Sequence, residues 1–124
     1  MANAKRVLFV GLDPRVVDFG KYPGLSPENL RAALDADKAK LAALGCEVDI
    51  CFTDRGETAG RVLADALAAK PYVCVMIGAG VRTDPETFLL FETVVNVVHQ
   101  HAPAAKICFN TNPADSAAAV QRWV

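Results

Sequence analysis

The apolar positions of this chain switch between a helical and a two-residue period, and the switches mark eight elements. Lys5–Val10 is apolar after its first two residues and predicts a strand. Ser26–Leu44 carries Leu30, Ala33, Leu34, Leu41 and Leu44 on one helical face, and Gly45 closes it as a helix C-terminal glycine does. Glu47–Phe52 alternates: Val48, Ile50 and Phe52 face one way, Glu47 and Asp49 the other. That is an edge strand with one partly wet face. Glu57–Ala69 is helical, with Val62, Leu63, Ala66 and Leu67 inward. Tyr72–Ile77 is apolar on both faces and belongs in the middle of a sheet. Pro85–His101 predicts a third long helix, Lys106–Asn110 a short strand and Pro113–Trp123 a last helix.

Strand and helix thus alternate four times, which argues for a parallel sheet covered by helices on both faces. The first and third strands, apolar on both sides, take the centre, and the second and fourth take the edges. The order 2-1-3-4 meets both demands. The expected fold is a three-layer α/β sandwich, a flavodoxin-like sheet truncated at four strands. The 124 residues make one domain, 1–124. Three helices open alike, at Ser26-Pro27, Asp84-Pro85 and Asn112-Pro113: a capping side chain, then proline where a missing N–H costs nothing. Glu28, Glu86 and Asp115 place negative charge in the first turns. These caps put every strand-to-helix loop on one edge of the sheet, where ligands of such folds bind, near the point at which strand order reverses.

Two loops flank that point. After the third strand come Gly78-Ala79-Gly80, then Arg82 and Thr83. The glycines open the backbone to close approach, and arginine offers a donor fork for carboxylate or phosphate. After the first strand, Gly11–Leu25 spans about 15 residues where 2–6 are usual. Pro14, Gly20, Pro23 and Gly24 turn it repeatedly, so it reads as a packed cover. The expected ligand site comprises Gly11, Arg15, Gly78, Ala79, Gly80, Thr83, Asn110 and Thr111. Asp13 is the candidate acid or base and Arg82 the candidate charge stabiliser.

Composition narrows the function classes. The net charge of −1 gives no basic field for nucleic acid or anionic lipid. No apolar run approaches the roughly 18 residues of a membrane span, and the start lacks a secretory leader's pattern. Cys46, Cys51, Cys74 and Cys108 form no CxxC pair, so buried thiols in a reducing cytosol are expected. His99 and His101 point about 200° apart on a helix and cannot share a metal; they suit the helix C-terminus. No metal and no cofactor is expected. Gly78-x-Gly80 lacks the third glycine of a dinucleotide fingerprint. Asp37 interrupts the apolar face of the first helix between Leu34 and Leu41 and needs a partner, read as a structural ion pair or a subunit contact. The third long helix is apolar over about 180°, wider than packing on one sheet demands, which motivates a homodimer.

The layout resembles the receiver domains of two-component signalling at the level of topology, over most of the chain. Asp13 and Thr111 match that pattern loosely. Gly78-Ala79-Gly80 stands where the phospho-accepting aspartate belongs, and a fifth strand is missing. The topology also resembles flavodoxins, but Gly11-Leu12-Asp13-Pro14 replaces the hydroxyl-rich phosphate loop. The expectation is a small cytoplasmic domain holding a small anionic or polar ligand at the carboxyl edge, with hydrolysis or group transfer as its chemistry if it is an enzyme. The alternative is a degenerate receiver-like module that works through protein contacts.

Overall fold

A computed structural model describes residues 5–124. The first four residues, part of the stretch read for a leader, lie outside it. Four parallel strands form the sheet: β1 (Lys5–Leu12), β2 (Cys46–Thr53), β3 (Cys74–Ile77) and β4 (Lys106–Phe109). Their order is β2-β1-β3-β4, as the two-face apolarity of the central strands requires. In register, Val10 lies beside Cys51 and Ile77, and Ile77 beside Phe109.

The helices are α1 (Pro27–Ala43), α2 (Ala59–Ala69), the single turn α3 (Ala79–Arg82), α4 (Phe88–His101) and α5 (Ser116–Gln121). One sheet face presents Leu8, Val10, Cys51, Val75 and Ile77 to α2 and α4; the other presents Val7, Phe9, Val48, Cys74 and Met76 to α1 and α5. Each side chain so buried contributes about 1.5–3 kcal/mol for the larger apolar types. Among the described residues, no helix is long and apolar enough to cross a membrane.

Several boundaries differ from the periodicity. β1 runs two residues further, to Leu12, because β2 continues beside it to Thr53. β3 starts at Cys74; Tyr72 instead sends its hydroxyl to Asp49 at 2.7 Å. The expected loop Gly78–Thr83 is mostly α3. Pro85 opens a 3-10 turn, Pro85–Thr87, and the regular helix begins only at Phe88. Pro113 does the same ahead of α5. Leu44, expected inside, is 59% exposed, because it caps α1 after the apolar stripe has ended. All four cysteines are buried and free. Cys74 and Cys108 bring their sulfurs to 3.6 Å on the α1 side. They lie diagonally across β3 and β4, which spaces the backbones about 8 Å apart, too far for a disulfide.

Asp37 is 2% exposed. Its Oδ2 accepts the Ala117 N–H at 2.9 Å, and its Oδ1 lies 3.6 Å from Lys40 Nζ. The expected structural pairing is therefore present, with a second role. Ala117 stands in the first turn of α5, where amides have no partner within the helix. Asp37 thus pins α5 to α1 through one such amide. Because Lys40 is largely exposed, the cap outweighs the ion pair. Asp37→Ala is expected to lower the urea-unfolding free energy by about 2 kcal/mol, and Lys40→Ala by under about 0.5 kcal/mol. Equal losses from the two variants would assign the stability to the ion pair instead.

Candidate functional site

Face alternation along the two central strands builds the site. On the α1 side, β1 presents Val7, Phe9 and then Gly11; β3 presents Cys74, Met76 and then Gly78. Both strands therefore lose their side chains at the same level, beside one another, at the carboxyl edge. A Cβ on Gly11 would meet nothing within 4 Å. One on Gly78 would sit 3.3 Å from Val10 O and 3.8 Å from Gly11 Cα. Across from this bare floor the cavity is lined by Leu30, Ala33 and Leu34 of α1, while the short α5 packs alongside, on β3 and β4, through Ala117, Ala119 and Val120. With no side chain on the floor, a cavity of about 600 Å³ remains between the strand ends and α1.

Its inner wall is apolar: Phe9, Met76, Leu30, Leu34, Ile50 and Phe52. Its rim carries Asn29, Thr83, Thr111 and Asn112. The over-long first loop forms the roof with Val17, Lys21 and Tyr22–Leu25. That loop is built, as its prolines and glycines imply. Asp13 accepts the Arg15 N–H at 2.9 Å, and Asp18 accepts the Gly20 N–H at 3.0 Å, each opening a 3-10 turn. Gly24 adopts φ +83°, and its carbonyl accepts from the Asn29 side chain at 2.7 Å. Two cations fasten the loop to its neighbours. Lys21 Nζ lies 3.1 Å from Asp84 and 2.9 Å from Glu86, and Arg55 Nε donates to Val16 O at 3.0 Å.

Gly11, Gly78, Ala79, Gly80, Thr83, Asn110 and Thr111 all border this cavity. Asp13 and Arg15 do not: they border a separate recess with Thr53, Asp54 and Thr58 at the end of β2. There Arg15 embraces Asp13 through Nε at 3.1 Å and Nη2 at 2.6 Å. The guanidinium, with the Arg15 backbone amide, holds the Asp13 carboxyl at about 2. At neutral pH that group carries no proton to donate and is a weak base. Arg82 is turned away from the cavity as well. Its Nη2 donates to Asn110 O at 2.8 Å, its guanidinium lies 5.5 Å from the Phe109 ring centre, and its buried Nε has no partner among the described residues. Of the Gly78–Gly80 amides expected to hold an anion, two are spent: Gly78 N–H donates to Val10 O at 2.8 Å and Ala79 N–H to Asn110 Oδ1 at 2.7 Å.

Asn110, 4% exposed, is the residue whose role the sequence hid. Its Oδ1 takes the Ala79 amide, its Nδ2 donates to Ser116 Oγ at 2.9 Å, and its carbonyl takes Arg82. It ties α3, β4 and α5 together at the cavity mouth. Thr111 is committed nearby, donating its N–H to Asp115 Oδ1 at 2.9 Å and its hydroxyl to Oδ2. The apolar wall was also hidden, although the ending of two alternating strands in glycine on one face could have revealed it. Among the described residues, no cluster of His, Cys, Asp and Glu could hold a metal.

No protein-family model matches the chain, and comparison with curated proteins gives no match. Its class therefore rests on the fold, a flavodoxin-like α/β sandwich of four parallel strands with no characterised family assigned.

Two measurements check these assignments. Asn110→Ala strands a buried amide and a buried hydroxyl, and is expected to cost about 2–3 kcal/mol in urea unfolding. Asp13 has a folded pKa below its ordinary 3.8, so its contribution to stability is complete above pH 4 and lost as pH falls towards 2. Asp49, Asp54, Asp84 and Asp115 are lowered too, so the whole protein weakens in acid. Asp13→Asn is expected to flatten the pH 4-to-2 part of that loss; an unchanged slope in unfolding titrations would refute the pairing with Arg15.

Proposed function

We propose that this protein binds a small molecule at the carboxyl edge of its sheet. The apolar body of the ligand lies on the Gly11–Gly78 floor against Phe9, Met76 and Ile50. Its hydrogen-bonding end faces Asn112 and the hydroxyls of Thr83 and Thr111, which donate to Ala79 O and Asp115 and keep lone pairs free to accept. The observation that carries this reading is the coincidence of two strand-terminal glycines on one face, flooring a cavity with apolar walls. A merely structural edge would carry side chains there and bury them, gaining about 1.5–3 kcal/mol each. A floor of bare backbone instead admits a ligand to close approach. The ligand is less anionic than Arg82 and the Gly78–Gly80 amides implied, because Arg82 and the Gly78 and Ala79 amides already have partners. The groups named for catalysis, Asp13 and Arg82, stand off the cavity wall, so the wall supports binding rather than hydrolysis or group transfer.

A second reading, a module working through protein contacts with a partner or a second copy, is favoured by Phe88 and Leu89. They are 61% and 71% exposed in the first turn of α4.

Amide NMR spectra recorded during titration with substituted naphthalenes and indoles separate the two. Binding in the cavity moves the Gly11, Gly78 and Gly80 resonances, and Gly11→Leu, which fills open space on an unstrained backbone, abolishes the shifts while the fold persists. Changes confined to Phe88 and Leu89 would favour the contact module, and silence at all three glycines removes the cavity reading.

A further inference from the structure

We propose that the cavity selects uncharged ligands over anions, and that Asp84 and Glu86 impose this selection by neutralising Lys21. The inference rests on the binding reading above and adds the charge class of the ligand.

Among the described residues, Lys21 is the one charged side chain that borders the cavity. An isolated ammonium at the edge of an apolar chamber would attract carboxylates, sulfonates and phosphates. This one is not isolated. Asp84 and Glu86 both contact its Nζ, at 3.1 and 2.9 Å, and Arg55 Nη1 stands 3.9 Å from the same Glu86 oxygen. Two cations and two carboxylates make the cluster neutral. Asp84 is only 8% exposed, so its side of the cluster is poorly screened by water. An anion entering the cavity sheds hydration and finds no uncompensated charge in return. Arg82 offers no help, being held on Asn110 O and the Phe109 ring. A cation fares no better, because no carboxylate among the described residues borders the cavity. A neutral molecule loses least on entering.

The arrangement gives the helix cap at Asp84-Pro85 a second use. The Asp84 carboxylate accepts the Glu86 N–H at 2.9 Å, opening the turn before α4, and with Glu86 holds the roof-loop lysine. One local sequence, Asp84-Pro85-Glu86, thus starts a helix, fastens the roof and sets the charge of the cavity mouth.

Two dyes that share a ring system test this: N-phenyl-1-naphthylamine, which is neutral, and 8-anilinonaphthalene-1-sulfonate, which is anionic. Fluorescence titration of the wild-type protein is expected to show the neutral dye binding about tenfold more tightly. In Asp84→Asn/Glu86→Gln, whose residue 84 keeps a capping oxygen, the anionic dye is expected to gain about fivefold while the neutral dye is unchanged. Adding Lys21→Met should return the ratio to its starting value. Circular dichroism establishes that each variant is folded. If Gly11→Leu abolishes both dyes but the ratio ignores the acid pair, or the wild type shows no preference, charge selection falls and cavity binding stands. If neither dye binds, or binding survives Gly11→Leu, both proposals fall together.

Discussion

A buried polar group must be paired, and at the carboxyl edge of this sheet that requirement fixes the walls of an open space. Asn110 meets it with a carboxamide used at both ends, receiving the Ala79 amide and donating to Ser116. Thr87, 1% exposed, meets it by placing its hydroxyl 2.7 Å from Val81 O. Asp37 meets it by taking an amide of α5 that no helical bond can reach. Each of these contacts joins elements that apolar packing alone would let slide. Loss of any one leaves a buried donor or acceptor bare, at a cost of about 1–3 kcal/mol. The short helix α5 therefore has directional anchors, which its alanine-rich face could not supply.

Those anchors matter because dispersion favours filling a void. Here α5 is held to α1 by Asp37 and to the end of β4 by the Asn110–Ser116 bond, so it stays beside the cavity and leaves the glycines uncovered. The opposite face shows the contrast. Under α2 and α4 the strands continue with Leu12, Cys51 and Ile77 against Leu63, Leu90 and Val94, and the layer is filled to the edge. One sheet thus carries a structural face and a face with a vacancy, and the difference lies in which residues fall at even and odd positions of the same two strands.

Much of this architecture was legible in the sequence. The cap-and-proline pairs fixed the polarity of the chain, and the two-face apolarity of Val7–Val10 and Cys74–Ile77 put β1 and β3 in the centre. The location of the recess followed from the strand order. Its chemistry did not, because what a polar group can do depends on whether another group, distant in sequence or folded back from the next turn, already occupies it. Arg82 reads as a free cation until Asn110 O, 28 residues away, takes its guanidinium. Asp13 reads as an acid or base until Arg15 closes on it. Asp37 reads as an anomaly until α5, 80 residues on, supplies an amide. Periodicity reports which face a residue occupies; it carries no record of hydrogen bonds made across the fold.

The four buried thiols give this molecule a built-in record of its own breathing. Cys51 lies beneath α2 and α4, whereas Cys74 and Cys108 lie beneath α1 and α5. Cys51, Cys74 and Cys108 react slowly until the layer above each parts, and Cys108 is further protected because Cys74 beside it and burial raise its pKa. The rates at which a thiol reagent reaches Cys51 and Cys74 therefore clock two separate openings, one for each side of the sheet. A sandwich whose filled face and hollow face carry independent clocks reveals which half of its structure lets go first.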